Sequence, residues 1–350
     1  MAVFACALCD AVLTNPVSRI ALPVHTQLRY QHTLLPPLMD PGTYAVDPEP
    51  SGPPWRRWHE IGDDAAAARG VFAPTHALSC GEPGAIILAP GDTRGMVLIP
   101  DRLGGDCMGL AGNDGPNLAC ERCGQPVATR IDDCEYWQEA RLTPSAVRQL
   151  PIAGPADRPT GWTELVAASE PFPPIDLSGQ CDLRWEAATG MTLALLLAAS
   201  GGAPVTVPDG LLADLFRRPL DALLPPGPPA KRATLAGPGL PTSNADIALV
   251  PRHPQTGEPW QPQNTAIPVP LAIEVWLHIA FHPERRPIPV SGGLPDGVLR
   301  DDPLPPHPSG PTHPDLDVFR HTLARLPAVR EPWLRRIYEP MREQPYSLPF

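Results

Sequence analysis

The chain has 350 residues, enough for two domains with separate cores, and 43% of them are apolar, so most of it is expected to fold. The formal net charge is −11 and both halves share it: residues 1–150 carry 11 basic and 17 acidic side chains, and residues 151–350 carry 16 and 21. Neither half is a basic module suited to a phosphate backbone, and the longest apolar run, Met191 to Ala199, is too short to span a bilayer.

Residues 1–150 read as β-rich. The start, Met1 to Cys6, is apolar without a basic flank, so no signal peptide is expected there. Tyr44 to Trp58 reads as a proline-punctuated loop. Asp63 and Asp64 before an alanine run read as the cap and first turn of a short helix. Ala85 to Pro90 and Gly95 to Pro100, around a Gly/Asp turn, predict a hairpin. Cys107 to Leu110 and Val127 to Ile131 are further strand candidates. Residues 151–180 hold six prolines and read as a linker.

Residues 181–350 alternate helix and strand. Leu183 to Ala199 predicts a helix stopped by Gly201 and Gly202. Val205 to Val207 reads as a strand. Asp209 is expected to cap a helix bearing Leu211, Leu212, Leu215 and Phe216 and broken at Pro219. Arg232 to Ala236 and Asp246 to Val250 read as strands, and Leu271 to His282 as an apolar helix. Residues 283–314 hold ten prolines and read as an irregular segment. Leu316, Phe319, Leu323 and Leu326 fall at helical spacing, and Pro332 can open a last helix with Trp333, Leu334, Ile337 and Tyr338. The expected class is α+β: a β-rich first domain followed by a layered α/β domain.

Two short cysteine motifs carry the chemistry. They are Cys6-Ala-Leu-Cys9 and Cys120-Glu-Arg-Cys123, and each is preceded by an alanine and followed by a similar Pro-Val tail. Four thiolates in two such pairs form the tetrahedral soft-ligand set that zinc prefers. Gly124 after the second pair, and Asp10 after the first, can take the left-handed turn that aims backbone N–H groups at the sulfurs. The motifs resemble the paired knuckles of zinc ribbons and rubredoxin-like proteins, over residues 4–20 and 118–134 only. The resemblance implies one structural zinc shared by Cys6, Cys9, Cys120 and Cys123. The chain departs from the pattern in spacing, because ribbon pairs usually stand about 15–20 residues apart. A folded β insertion between the knuckles reconciles the two. The alternative is four unrelated buried or redox cysteines.

Other candidates are weaker. Cys134 is a possible alternative ligand but fits better as a small buried apolar residue. Cys80, Cys107 and Cys181 lack partner spacing and are expected in the core. Asp132, Asp133 and Glu135 read first as a strand end or as partners of Arg130 and Arg122, and second as acid–base or divalent-metal groups. Glu274, His278 and His282 share one helix face at i, i+4 and i+8, but Ile279 stands where a metalloprotease would place its general base. With few export features and many thiols, the expected setting is the reducing cytoplasm. The expected role is interaction or scaffolding with a protein partner. The second reading is a metal-dependent hydrolase using Glu274, His278 and His282 or Asp132 and Asp133. The third is a nucleic-acid binder using Arg19, Arg122, Arg130 and Arg141, which the acidic balance disfavours.

Overall fold

The computed structural model describes residues 1–30, 32–107, 109–151, 158–168, 173–174, 181–228, 230–282 and 313–343. The fold is α+β, with the strands concentrated first and the long helices later. Contacts divide the chain into two units, residues 1–159 with 255–257, and residues 160–254 with 258–350.

The first unit contains β1 (Ala2–Cys6), β2 (Ser18–Arg19), β3 (Thr43–Pro50), β4 (Trp55–Arg56), α1 (Trp58–Ile61), α2 (Asp63–Ala67), β5 (Leu78–Ser79), β6 (Pro83–Leu88), β7 (Met96–Leu98), β8 (Leu118–Cys120), β9 (Pro126–Ile131), β10 (Glu139–Leu142) and β11 (Val147–Pro151). Seven of these strands form one sheet in the order β2-β3-β6-β10-β9-β8-β7. β1 pairs antiparallel with β11, from Ala2 opposite Pro151 to Cys6 opposite Val147. Residues 11–17 return along β1, with bridges at Ala5–Val12 and Ala2–Val17. Phe4, Leu13, Val17, Tyr44, Leu88, Val127 and Leu142 fill the core between these layers, together with Cys6 and Cys120. Phe4 meets Tyr44 edge-on at 5.2 Å, a favoured aromatic geometry.

Three expectations for this unit are corrected. Tyr44 to Trp58 is not one loop, because most of its first half is β3. Pro48 and Pro50 are tolerated there because β2 pairs only with Thr43 and Tyr44, leaving the far edge of β3 free of partners that need an N–H. The hairpin at residues 85–100 does not form. β6 and β7 are both strands but stand apart, separated by β10, β9 and β8. A 3₁₀ turn at Pro90–Asp92 redirects the chain, and buried Asp92 anchors it by accepting from Gly42 N at 2.8 Å and Asn15 Nδ2 at 3.2 Å. Among the described residues of Cys107 to Leu110 there is no strand, and of these only Leu110 makes a bridge, to Asp132. The short helix at Asp63 and Asp64 is present as α2, with Gly62 rather than an aspartate in the cap position.

The second unit contains α3 (Trp162–Ala168), α4 (Leu183–Ser200), β12 (Val205–Thr206), α5 (Leu211–Leu223), β13 (Lys231–Leu235), β14 (Ile247–Arg252), β15 (Ile267–Ala272), α6 (Ile273–Phe281), α7 (Leu316–Arg325) and α8 (Pro332–Glu343). Its strands form a parallel sheet in chain order. β14 is buried on both faces over Ile247–Pro251, as expected of a parallel-sheet strand covered by helices. α4 packs against β14, β15, α5 and α7. Asp182 caps it by accepting from Arg184 N at 2.8 Å, and Gly201, at φ 62°, ends it. Thr192 Oγ1 donates to Pro270 O at 3.0 Å and ties the helix to β15.

Here the sequence missed β15, whose prolines conceal it. Pro268 and Pro270 lie two apart on the last strand of the sheet, so both ring nitrogens can face the unpaired edge. The expected apolar helix at Leu271 therefore starts later, at Ile273. α5 continues through Pro219, because buried Leu212, Leu215, Phe216 and Leu220 hold it against the core despite the lost N–H. Asp209 does not cap α5. Gly210 occupies the cap, and Asp209 pairs with Arg217 at 2.6 Å. The segment expected to be irregular, residues 283–314, lies outside the described residues except for its last two.

Candidate metal centre

The two knuckles fold alike and face each other. β1 delivers Cys6 and β8 delivers Cys120, both buried at the end of a strand. In the first knuckle, Cys6 N donates to Ala11 O at 2.9 Å and Asp10 N to Cys6 O at 3.0 Å. In the second, Cys120 N donates to Gln125 O at 2.8 Å and Gly124 N to Cys120 O at 2.8 Å. Asp10 and Gly124 occupy equivalent left-handed positions, at φ 62° and 74°. An aspartate tolerates this region better than most residues, and its carboxylate is further held by Arg148 at 2.7 Å. Arg122, from the second knuckle, donates to Cys9 O at 3.1 Å and joins the two turns.

This geometry brings together four sulfurs from two segments distant in sequence. Cys6 Sγ lies 3.6 Å from Cys123 Sγ, and Cys9 Sγ lies 3.6 Å from Cys120 Sγ, across 117 and 111 positions of chain. All four sulfurs fall within 4.8 Å of one another. Sulfurs about 2.3 Å from a central ion at tetrahedral angles stand about 3.8 Å apart, whereas a disulfide requires about 2.0 Å. The observed spacing fits the first arrangement. The four cysteines are thus close enough to bind a metal ion, in a clip like that of a zinc ribbon.

Electrostatics favour the same use. Burial pushes the Cys120 thiol up, but N–H groups of Cys123 and Arg122 and the neighbouring thiols more than offset it, so its pKa is lowered. At Cys123, the Gln125 N–H acts to lower the pKa. Burial and the thiols of Cys9, Cys6 and Cys120 prevail and push it up to about 12. Four clustered thiols cannot all ionise without a cation, so metal binding must release protons.

The structure brings together a second group that sequence reading did not assemble. His32, Cys107 and Cys134 offer ligand atoms within 4.8 Å of one another. Cys134 is buried, as expected, but Cys107 is exposed, and Cys80 and Cys181 are only half-buried, so the core placement expected for these three is wrong. The Cys134 thiol is pushed up to about 11, first by its hydrogen bond with Cys107, then by burial and by the charges of Cys107, Asp133 and Glu135. Spacing gave no signal, because the three residues come from separate loops.

The remaining candidates are placed as follows. Asp132 pairs with Arg130 at 2.7 Å. Asp133 is buried and accepts backbone N–H groups rather than ending a strand in solvent. Arg141, a candidate for nucleic-acid contact, is instead held between Glu139 at 2.7 Å and Asp47 at 3.1 Å. Among the described residues, Glu274, His278 and His282 do not converge as a metal-ligand group. His278 is buried with its ring edge-on to Trp185 at 5.5 Å, and Glu274 lies near Arg252. No described helix is long and apolar enough to cross a membrane. No protein-family model, curated protein or solved structure matches the chain.

Proposed function

We propose that Cys6, Cys9, Cys120 and Cys123 hold one structural zinc ion, and that the protein is an interaction or scaffolding module of the reducing cytoplasm. The observation that carries the reading is the pair of 3.6 Å sulfur contacts between two like-folded knuckles distant in sequence. Four protein ligands leave no open position, so the ion braces the fold and performs no chemistry. Soft sulfur ligands in tetrahedral array select zinc over magnesium or calcium. The knuckles close off the core that contains Cys6 and Cys120, so the metal stabilises the sheet as a presenting surface. Large apolar side chains stand exposed on the knuckle segments and on the edge strand β7: Leu8 at 68%, and Val12, Val97 and Leu98 each at 47%. They supply the kind of surface that a protein partner covers.

Zinc-edge X-ray absorption of the protein loaded with a single zinc equivalent tests the ligand set. Four sulfur scatterers at about 2.3 Å are expected. A shell containing nitrogen or oxygen at the tightly bound ion would contradict the closed site. For the partner, a protein captured by the wild type and lost with Leu8→Asp/Val97→Asp at unchanged zinc content is the expected result. Equal capture by both proteins would contradict use of this surface.

A further inference from the structure

Three loops meet at the second thiol cluster, none of them a knuckle. His32 comes from the segment before β3, Cys107 from the loop between β7 and β8, and Cys134 from the segment after β9. We propose that His32, Cys107 and Cys134 form a second divalent-cation site, of two-sulfur, one-nitrogen type, with its remaining position open to solvent.

The donors suit a zinc-type ion. Two thiolates and an imidazole are a known three-ligand set for zinc, which completes its shell with water. Ligands around such an ion stand roughly 3.3–3.8 Å apart. The atoms here lie within 4.8 Å, so a movement on the order of 1 Å closes the set. Exposed His32 and Cys107 have the freedom to make it, while buried Cys134 forms the floor. A disulfide between the two cysteines would leave the histidine without a role.

The backbone that carries the sulfurs is fixed in advance. Buried Asp133 spends both carboxylate oxygens on it: Oδ2 accepts from Asp106 N at 2.7 Å and Cys107 N at 3.0 Å, and Oδ1 accepts from Cys134 N at 2.7 Å. One side chain thus sets both thiol-bearing segments. Supporting interactions of this kind orient ligands and raise metal affinity. The loop around Cys107 is closed by two glycines that cannot be replaced. A Cβ on Gly105 would stand 1.8 Å from Gly109 O, and a Cβ on Gly109 would stand 1.8 Å from Asp132 O. Outside it, Asp106 accepts from Tyr136 OH at 3.0 Å and Asn113 Nδ2 at 2.7 Å, and Arg29 donates to Tyr136 OH at 2.9 Å.

Backbone strain points to the same place. Among the described residues, only Asp10, His32 and Glu135 have positive φ without being glycine, at 62°, 47° and 75°. Asp10 belongs to the first knuckle, and the other two belong to this cluster, where Glu135 N donates to Thr33 O at 3.1 Å. Such conformations persist where surrounding structure imposes them, and they gather at functional sites.

This site is independent of the tetrad, and one experiment separates them. The full chain, purified under reducing conditions, is loaded with cadmium-113 and examined by NMR. Two resonances are expected, one from an all-sulfur site and one from mixed sulfur and nitrogen ligation. Cys107→Ser and His32→Asn should each remove the mixed signal and leave the other. Asparagine tolerates the left-handed backbone of residue 32, so that variant tests ligation without disturbing the fold. Cys123→Ser should remove the all-sulfur signal. A single all-sulfur resonance in the wild type, or a mixed signal that survives both Cys107→Ser and His32→Asn, would overturn the proposal. An intact mass short by the hydrogens of one disulfide, restored in Cys107→Ser, would overturn it as well.

Discussion

Glu186 and Asp315 should make the second unit less stable as pH rises from 5 to 8. Glu186 lies in the first turn of α4, and Asp315 caps α7 by accepting from Val318 N at 2.7 Å. The two segments touch through Asp315 N, which donates to Glu186 O at 2.9 Å. Burial, then the charges of Asp315 and Asp182, push Glu186 up to about 7. Burial pushes Asp315 up to about 6, opposed by the Val318 N–H and reinforced by Asp317. A raised carboxyl pKa means that the folded state holds its proton where the unfolded chain has released it. The contribution is therefore fully present below about pH 4 and is lost as pH rises through 6 and 7. The Glu186 shift alone corresponds to about 3 kcal/mol, and partial exposure reduces this to about 1–2 kcal/mol. Urea unfolding of the full chain, read by hydrogen exchange in peptides from α4 and α7, isolates this unit. Glu186→Gln should be more stable than wild type at pH 8, by about that amount, and should flatten the pH dependence. A wild type that gains stability between pH 5 and 8, or a Glu186→Gln variant with unchanged dependence, would refute the reasoning.

Other expectations follow from close contacts and buried charge. Gly190→Ala places a Cβ 2.5 Å from the backbone oxygen of Asp315, so it should cost about 1–3 kcal/mol in thermal unfolding and loosen α7 from α4. Asp133→Ala orphans three backbone N–H groups and should destabilise the first unit by about 3 kcal/mol or more, as measured by denaturant unfolding. Arg141→Met leaves buried Asp47 and Glu139 without their shared cation and should cost about 3–5 kcal/mol, with partial recovery when Glu139 is also replaced by glutamine.

The knuckles were legible because the motif is local and written twice, with Asp10 and Gly124 readable as left-handed turns. Helical spacing likewise revealed α7, while the Gly201-Gly202 stop and the opening Pro332 revealed α4 and α8. Strand pairing was not legible, since β6 pairs with β3 and β10, not with the nearby β7. Proline concealed β3 and β15, because sequence does not reveal which strand edge will be free. The second cluster was hidden for a related reason. Buried Asp133 organises it, and an aspartate beside another aspartate reads as a solvated pair until its backbone donors are known.

The shared tetrad is tested most directly by breaking it from opposite ends. Metal binding is worth on the order of 10 kcal/mol in small zinc peptides, and here it closes the loop from Cys6 to Cys123. Cys6→Ser and Cys123→Ser are compared by elemental zinc content and limited proteolysis. Each should lose the same zinc equivalent and become sensitive to protease within residues 1–150, while α4 to α6 stay protected. Full zinc retention in Cys6→Ser, with loss in Cys123→Ser, would show that the two knuckles do not share an ion.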